Sequence, residues 1–202
     1  RAERLQELKQ DLLNIDTTIA IRLFALDLTD SDSINTVAQE FCNEPSLRLS
    51  VLINNAGYGC YGPLLEVDSD WQLGQIDLNC RSLTQACALL GKYLFNGSLV
   101  INVASLAAFA PLAGFAVYAA SKAYVLSLSA ALAAEWEGQG IKVHAFCPGS
   151  VQSEFALVAS GGLRKEVAGG LTADKMVRRA LKQAGRGRWI SVPYLNWQLN
   201  RF

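Results

Sequence analysis

The chain has 202 residues, 51% of them hydrophobic, and its 18 basic and 18 acidic residues cancel at neutral pH. That length and composition bury one substantial core in a single domain. The charge balance leaves no basic surplus to neutralise phosphates, which excludes nucleic acid as a partner. Residues 1–13 place Leu5, Leu8, Leu12 and Leu13 at helical spacing beneath a charged face, the pattern of an amphipathic surface helix. Residues 19–28 (IAIRLFALDL), rich in branched side chains, are expected to form a strand ending near Asp27. Thr29 and Asp30 offer caps for a helix running to about residue 44, closed by Pro45 and Ser46. A second strand is expected over 49–54 (LSVLIN), then a glycine-rich loop and one long helix over 70–93. Residues 99–104 (LVINVA) predict a third strand, 115–136 a helix, and 142–147 (KVHAFC) a fourth strand. An irregular stretch over 154–170 reads as a substrate loop; a helix over 172–185 and a short strand over 188–192 follow. Continuous apolar strands joined by helical crossovers predict a doubly wound parallel sheet, α/β in class, covered on both faces.

Residues 1–10 (RAERLQELKQ) are charged and helical in pattern rather than a basic start followed by an apolar run, so export by a signal peptide is not expected. Residues 93–121 carry no charge, but Asn96, Gly97, Pro111 and Gly114 divide them, which argues for strand, loop and helix start over a membrane span. Five cysteines, at 42, 60, 80, 87 and 147, lack CxxC spacing and suit a reducing cytoplasm. The sole histidine, His144, lies in an apolar strand without the partners that a metal or a catalytic relay needs, so it reads as a core residue.

Lys122 is the one charged residue between Tyr93 and Ala134, and a charge is costly to place in apolar surroundings without purpose. Tyr118 stands four residues earlier, so hydroxyl and ammonium project from one helical face, one turn apart. An adjacent cation favours the phenolate and is expected to bring the phenol towards working pH, making a general acid/base for a carbonyl or an alcohol.

Four motifs accompany that pair in order: Asn54-Asn55-Ala56-Gly57, Ser105 thirteen residues before the tyrosine, Tyr118-Ala119-Ala120-Ser121-Lys122, and Pro148-Gly149-Ser150-Val151. Together they resemble the short-chain dehydrogenase/reductase family across nearly the whole chain. The resemblance implies a Rossmann-like three-layer α/β/α fold and an NADP- or NAD-dependent oxidoreductase acting on a small-molecule carbonyl or secondary alcohol. It also implies that Tyr118 is the acid/base, that Ser105 bonds the substrate oxygen, and that Lys122 lowers the tyrosine pKa and holds the nicotinamide ribose. Asn79 matches the asparagine that holds a relay water. Asp27 would lie near adenine, Asn54 and Ala56 near the adenosine ribose, Val151 and Ser153 near the nicotinamide. The helices over 70–93 and 115–136 resemble those through which the family forms homodimers or homotetramers.

Gly57-Tyr58-Gly59-Cys60-Tyr61-Gly62 satisfies a dinucleotide GxGxxG pattern, yet Pro63 and further loop residues follow where a phosphate-binding helix should open, so the pattern is rejected. Family members begin with a strand, a TGxxxGxG turn, a helix and a second strand, a βαβ unit of roughly 30 or more residues. That unit does not precede Arg1 in this sequence, and its absence is expected to strip the strand over 19–28 of its neighbour. Arg1 stands where a basic residue commonly meets a 2′-phosphate, which favours NADP over NAD. Two other readings compete: a catalytically silent binding or scaffold protein, and peripheral membrane contact through the aromatic tail over 189–202. Tyr58, Tyr61, Phe109, Phe155 and Leu157 offer an apolar pocket and point to a hydrophobic substrate.

Overall fold

A computed structural model of the protein describes residues 2–163 and 170–193. In chain order its elements are α1 (Ala2–Ile15), α2 (Ser31–Asn43), β1 (Val51–Asn54), α3 (Ser69–Ile76), a π-helical segment (Asp77–Ser82), α4 (Leu83–Leu90), β2 (Leu99–Val103), α5 (Ala116–Glu137), β3 (Lys142–Phe146), β4 (Val151–Gln152), α6 (Phe155–Ala159), β5 (Leu171–Thr172), α7 (Ala173–Gly185) and β6 (Ile190–Ser191). The main sheet is parallel in the order β1-β2-β3-β6, with Ile53 opposite Ile101 and Ile101 opposite His144.

Strand side chains alternate between two faces, and helices cover both. On one face Ala104, Ala145 and Cys147 pack with Leu83, Cys87 and Val125 of α4 and α5. On the other, Ile101 and Phe146 meet Met176 and Ala180 of α7. The larger of these side chains, Leu83, Val125, Ile101, Phe146 and Met176, each contribute roughly 1.5–3 kcal/mol when fully buried. This is the doubly wound, three-layer α/β/α arrangement that the alternation of elements predicts. α2 adds a further cluster, in which Ile34 and Ala38 pack on Ala86 and Leu90 of α4, and Asp30 caps its first turn by accepting from Asp32 N at 3.0 Å.

Two expected elements differ. Residues 19–27 form no strand and have no strand partner among the described residues. A strand exists only through its neighbour's hydrogen bonds, and here β1 pairs with β2 alone, leaving Val51 49% and Ile53 55% exposed along an open edge. Arg22 ties the segment to α2 instead, pairing with Glu40 at 2.6 Å and Glu44 at 2.8 Å. The long helix expected over 70–93 is continuous in path but not in type, since a π-helical segment interrupts it at Asp77–Ser82. Ser82 and Thr84 hydroxyls donate to the Leu78 and Cys80 carbonyls there, at 2.8 Å each, competing for backbone acceptors.

Within 154–170, read as irregular, a short helix α6 forms, while 164–169 lie outside the described residues, as do Arg1 and the tail over 194–202. α5 is long and apolar enough to cross a membrane by length and composition. It packs on the sheet and buries Tyr118, Ser121, Lys122 and Ser129, of which Lys122 reaches the Val103 carbonyl and Ser129 the Asn102 amide of β2.

Candidate active site

In a parallel sheet of this kind, ligands meet the residues just beyond the carboxyl ends of the strands. Ser105 lies there, two residues past the end of β2, with extended backbone; its Oγ accepts from Ala107 N at 3.1 Å and is near enough to the Tyr118 hydroxyl to favour its ionised form. Tyr118 and Lys122 sit one turn apart on α5, only 7% and 5% exposed. Lys122 Nζ donates to the Val103 carbonyl at 2.8 Å, so the terminus of β2 anchors the ammonium. Burial holds the Lys122 pKa down to about 8, against a pull upwards from the Cys80 and Cys147 thiols.

The phenol behaves differently from the sequence expectation. Burial pushes the Tyr118 pKa up to about 12, and the Ser105 hydroxyl beside it offsets only part of that rise. Desolvation outweighs the nearby cation because the ammonium is committed to Val103 and lies 5.8 Å from the centre of the tyrosine ring. The resting group is a neutral phenol, set up to give a proton rather than to take one.

Aromatic rings surround it. Phe115 stacks on Tyr118 with centroids 4.3 Å apart and planes 24° apart, and Tyr61 stacks on the other side of Phe115, also at 4.3 Å. Phe155, at the start of α6, approaches the Tyr118 ring to 5.3 Å. Backbone bonds tie the three loops together: Tyr61 N donates to Ala159 O at 2.7 Å and Gly62 N to Gly114 O at 2.9 Å. Of the residues expected to give an apolar pocket, Tyr61 and Phe155 join this cluster. Tyr58 instead turns its hydroxyl to the Trp71 carbonyl at 2.8 Å. Leu157 is 38% exposed, and Phe109 lines an open apolar recess of about 590 Å³ with Pro111, Leu112 and alanines of α5.

Asn79 lies in the π-helical segment, 1% exposed. Its amide clamps the turn after β1, accepting from Tyr58 N at 3.1 Å and donating to Tyr58 O at 2.9 Å and to Ser121 Oγ at 3.0 Å. Segments of π-helix are rare and concentrate at functional positions. Here the wider turn places Asn79 against that loop. Gly57 lies between the two polar groups: a Cβ there would stand 2.8 Å from Asn79 Oδ1 and 3.2 Å from Lys122 Nζ. At Gly59 a Cβ would fall 2.8 Å from the Phe115 ring and 2.9 Å from the Tyr118 ring. These glycines admit neighbouring side chains. No helix follows the loop until Ser69, in keeping with its rejection as a phosphate cradle.

The remaining expected positions are spread along the same sheet edge. Asn54 ends β1, and its amide donates to Asn102 Oδ1 at 2.8 Å, while Asn102 donates on to Ser129 at 3.0 Å. Asn54, Asn55 and Ala56 line a small cavity of about 70 Å³ with Leu28 and Ile34. Asp27 is exposed, and its carboxylate accepts from Thr29 N at 2.9 Å and Thr29 Oγ1 at 2.7 Å, which holds its pKa below the usual carboxylate value. Val151 is half-buried in β4 opposite Leu171, and Ser153 is exposed, accepting from Phe155 N at 3.3 Å. Ser105, Tyr118, Lys122 and Asn79 therefore converge, whereas Asp27 stands apart in a turn.

A family model described as short chain dehydrogenase matches residues 1–160. The chain belongs to the short-chain dehydrogenase family. It is 34% identical over 167 residues to sulfoacetaldehyde reductase of Chromohalobacter salexigens, covering 80% of this chain and 64% of that protein. It is 33% identical over 148 residues to D-threitol dehydrogenase of Mycolicibacterium smegmatis, covering 72% and 56%. Among solved structures it superposes on a short-chain dehydrogenase from Sphingobium yanoikuyae in complex with NADPH, with TM-score 0.84 and 27% identity over 97% of this chain and 78% of that one. The chain thus spans less than two thirds of the length of these two relatives.

Sequence reasoning left one member of this candidate site unnamed, Phe115, and put Gly59 beside the site only as part of the turning loop. A signal was present: Phe115 precedes Tyr118 by three residues, a spacing that puts both rings on one helical face. The pairing of Gly59 with those rings depends on a loop crossing that no local pattern records.

Proposed function

We propose that this chain carries the catalytic part of an NAD(P)-dependent oxidoreductase that interconverts a carbonyl compound and a secondary alcohol. The observation that supports it most is the convergence of Ser105, Tyr118 and a buried, uncompensated Lys122 at the carboxyl edge of a parallel sheet. The neutral phenol of Tyr118 gives its proton to a carbonyl oxygen, and the Ser105 hydroxyl, beside Tyr118, can donate to the same oxygen. Lys122 is an ammonium with three protons, one of which goes to Val103; the others suit the hydroxyls of a nicotinamide ribose. When bound, the nicotinamide supplies or accepts hydride. Asn79 braces the turn beside Lys122 and takes the relay position that the family resemblance implies.

The relatives' names as reductases and dehydrogenases, and the NADPH complex of the Sphingobium structure, support this reading. Asn54, Ala56, Asp27, Val151 and Ser153 are assigned to the cofactor side. The open edge of β1 supports a preceding βαβ unit that carries the pyrophosphate cradle. The rings of Tyr61, Phe115 and Phe155 favour a substrate with an apolar group beside its carbonyl. The enzyme is read as a cytoplasmic homo-oligomer, with Leu73, Ile76 and Tyr124 left exposed on the helices expected to pair.

Fluorescence titration with NADPH and NADH tests the proposal on this chain, on Lys122→Ala and Tyr118→Phe variants, and on the chain extended by a βαβ unit from a relative. NADPH binding that weakens in Lys122→Ala and persists in Tyr118→Phe, with turnover lost in the latter, is the expected result. No binding at millimolar cofactor in the extended chain would overturn it.

A further inference from the structure

The catalytic role read for Tyr118 leaves unexplained why an aromatic ring is wedged between it and a second tyrosine. Phe115 forms the middle of a three-ring stack, with Tyr61 at 4.3 Å on one side and Tyr118 at 4.3 Å on the other, and interplanar angles of 25° and 24°. Its ring also presses on Gly59, where even a Cβ would approach to 2.8 Å. Phe115 therefore has little freedom to turn. Its backbone is fixed as well, because its N–H donates to Leu112 O at 3.1 Å and its carbonyl accepts from Ala119 N at 3.0 Å at the start of α5. A ring held in this way covers one face of Tyr118, and Phe155 closes on it at 5.3 Å.

We infer that Phe115 is a positioning residue for the acid/base tyrosine: stacked between Tyr61 and Tyr118 against Gly59, it fixes the orientation of the Tyr118 ring and excludes water from it. The inference rests on the reading of Tyr118 as the acid/base. Among the described residues, the polar groups that face the phenol are Ser105 from the β2 exit, Tyr61 from the loop after β1, and Lys122 from its own helix, with the Cys80 and Cys147 thiols beyond Lys122. None of them is a carboxylate. The rise of the phenol above its ordinary 10.0 thus follows chiefly from dehydration, to which Phe115 contributes a whole ring face, with a smaller push from Tyr61.

Phenolate absorbance in the near ultraviolet tests this without needing turnover. It is read at pH 10 as the difference between each protein and the same protein carrying Tyr118→Phe. With a pKa of about 12 the wild-type difference corresponds to roughly one phenolate in a hundred molecules. Phe115→Leu keeps apolar volume but removes the stack, and is expected to bring the phenol towards its ordinary value of 10.0, raising the fraction to about one half. Phe115→Tyr, which restores a stacked ring, is expected to return the wild-type signal. Circular dichroism confirms that each variant is folded, and Phe115→Met serves if Phe115→Leu is not. A Tyr118 signal unchanged in a folded Phe115→Leu variant would overturn the inference. If the signal rises as expected while the chain extended by the βαβ unit neither binds nor turns over a nicotinamide, the positioning role stands and the oxidoreductase reading falls.

Discussion

Lys122 Nζ donates to the carbonyl of Val103 at 2.8 Å, so the buried ammonium is held by the last residue of β2 and not by an acidic side chain. Its charge is consequently maintained at a cost. The folded-state pKa of about 8 lies below the ordinary 10.5, which means that the unfolded chain binds the proton more tightly. Stability from this group is full above 10.5 and is lost as pH falls through about 8, so the whole penalty applies at pH 7.

Replacing Lys122 with Met should remove that penalty. A shift of this size is worth on the order of 3 kcal/mol, and loss of the Val103 hydrogen bond offsets about 1 kcal/mol of it. Lys122→Met is therefore expected to be more stable than wild type at pH 7, with the gain shrinking by pH 10, while nicotinamide binding weakens about tenfold or more. Urea unfolding at the two pH values, beside the cofactor titration, measures both effects. A variant that is destabilised at pH 7 would contradict the assignment of Lys122 as a strained functional charge.

Gly57 separates Asn79 from Lys122 so closely that Ala cannot enter without moving one of them. Asn79 Oδ1, at 2.8 Å from the new Cβ, would yield first and release the clamp on the Tyr58 backbone. Gly57→Ala is expected to cost about 1–3 kcal/mol, as overpacking usually does, and to weaken cofactor binding along with it. Gly138, at the end of α5 with negative φ and nothing near its Cβ position, provides the contrast. Gly138→Ala should be neutral or stabilising by up to about 1 kcal/mol. Thermal unfolding of the two variants side by side decides the matter: equal losses would show that the clamp is irrelevant.

The layout of strands and helices was legible in the sequence because parallel strands buried on both faces read as unbroken apolar runs, as in 99–104 and 142–147. Tyr118 and Lys122 were legible for a related reason, as polar residues that recur at helical spacing inside an otherwise uncharged stretch. Residues 19–28 have the β propensity of a strand, and the loss of a sheet neighbour expected for them matches their lack of pairing among the described residues, because propensity reports a side chain's fitness for a sheet and a strand still needs a partner. The π-helical segment left no mark, since Asp77-Leu78-Asn79-Cys80 suits an α-helix equally well. The raised phenol pKa was hidden too. It depends on Phe115, Tyr61 and Phe155 closing from three separate segments, and on Lys122 turning to Val103, neither of which is encoded in the spacing of Tyr118 and Lys122.

Gln75, on α3 one turn before Asn79, is fully buried, and neither its Nε2 nor its Oε1 has a partner among the described residues. An unsatisfied buried amide costs about 1–3 kcal/mol. Gln75→Leu, close in volume and without polar atoms, is expected to stabilise the fold by about that amount, whereas Gln75→Ala should lose about 1 kcal/mol or more by leaving a cavity. Urea unfolding of the pair checks this. A Gln75→Leu variant that loses stability would show that the amide is satisfied in solution.

His144 makes the acid limit of the fold predictable. It is completely buried in β3, with Nδ1 at 2.6 Å from the Arg188 carbonyl and Nε2 at 2.8 Å from Ser191 Oγ, and so couples β3 to β6 and the turn before it. The carbonyl requires a proton on Nδ1, which leaves Nε2 of the neutral ring to accept from the Ser191 hydroxyl. Burial is the larger influence and lowers the His144 pKa from 6.5, against the Arg188 carbonyl, which favours the charged form. The unfolded chain therefore takes up a proton on this histidine at a higher pH than the folded one. Its contribution to stability is present above 6.5 and is lost as pH falls through the lowered folded value. His144→Gln, which keeps an Nε2-like polar atom but cannot titrate, is expected to be less stable than wild type at pH 8 by about 1–3 kcal/mol and to show a flatter decline below pH 6.5. Ser191→Ala removes the hydroxyl that the neutral ring accepts from, and should lower stability at pH 8 by about 1 kcal/mol while leaving the acid slope in place. Urea midpoints from pH 8 to pH 5 separate the two variants, and parallel curves for wild type and His144→Gln would mean that another group controls the acid transition.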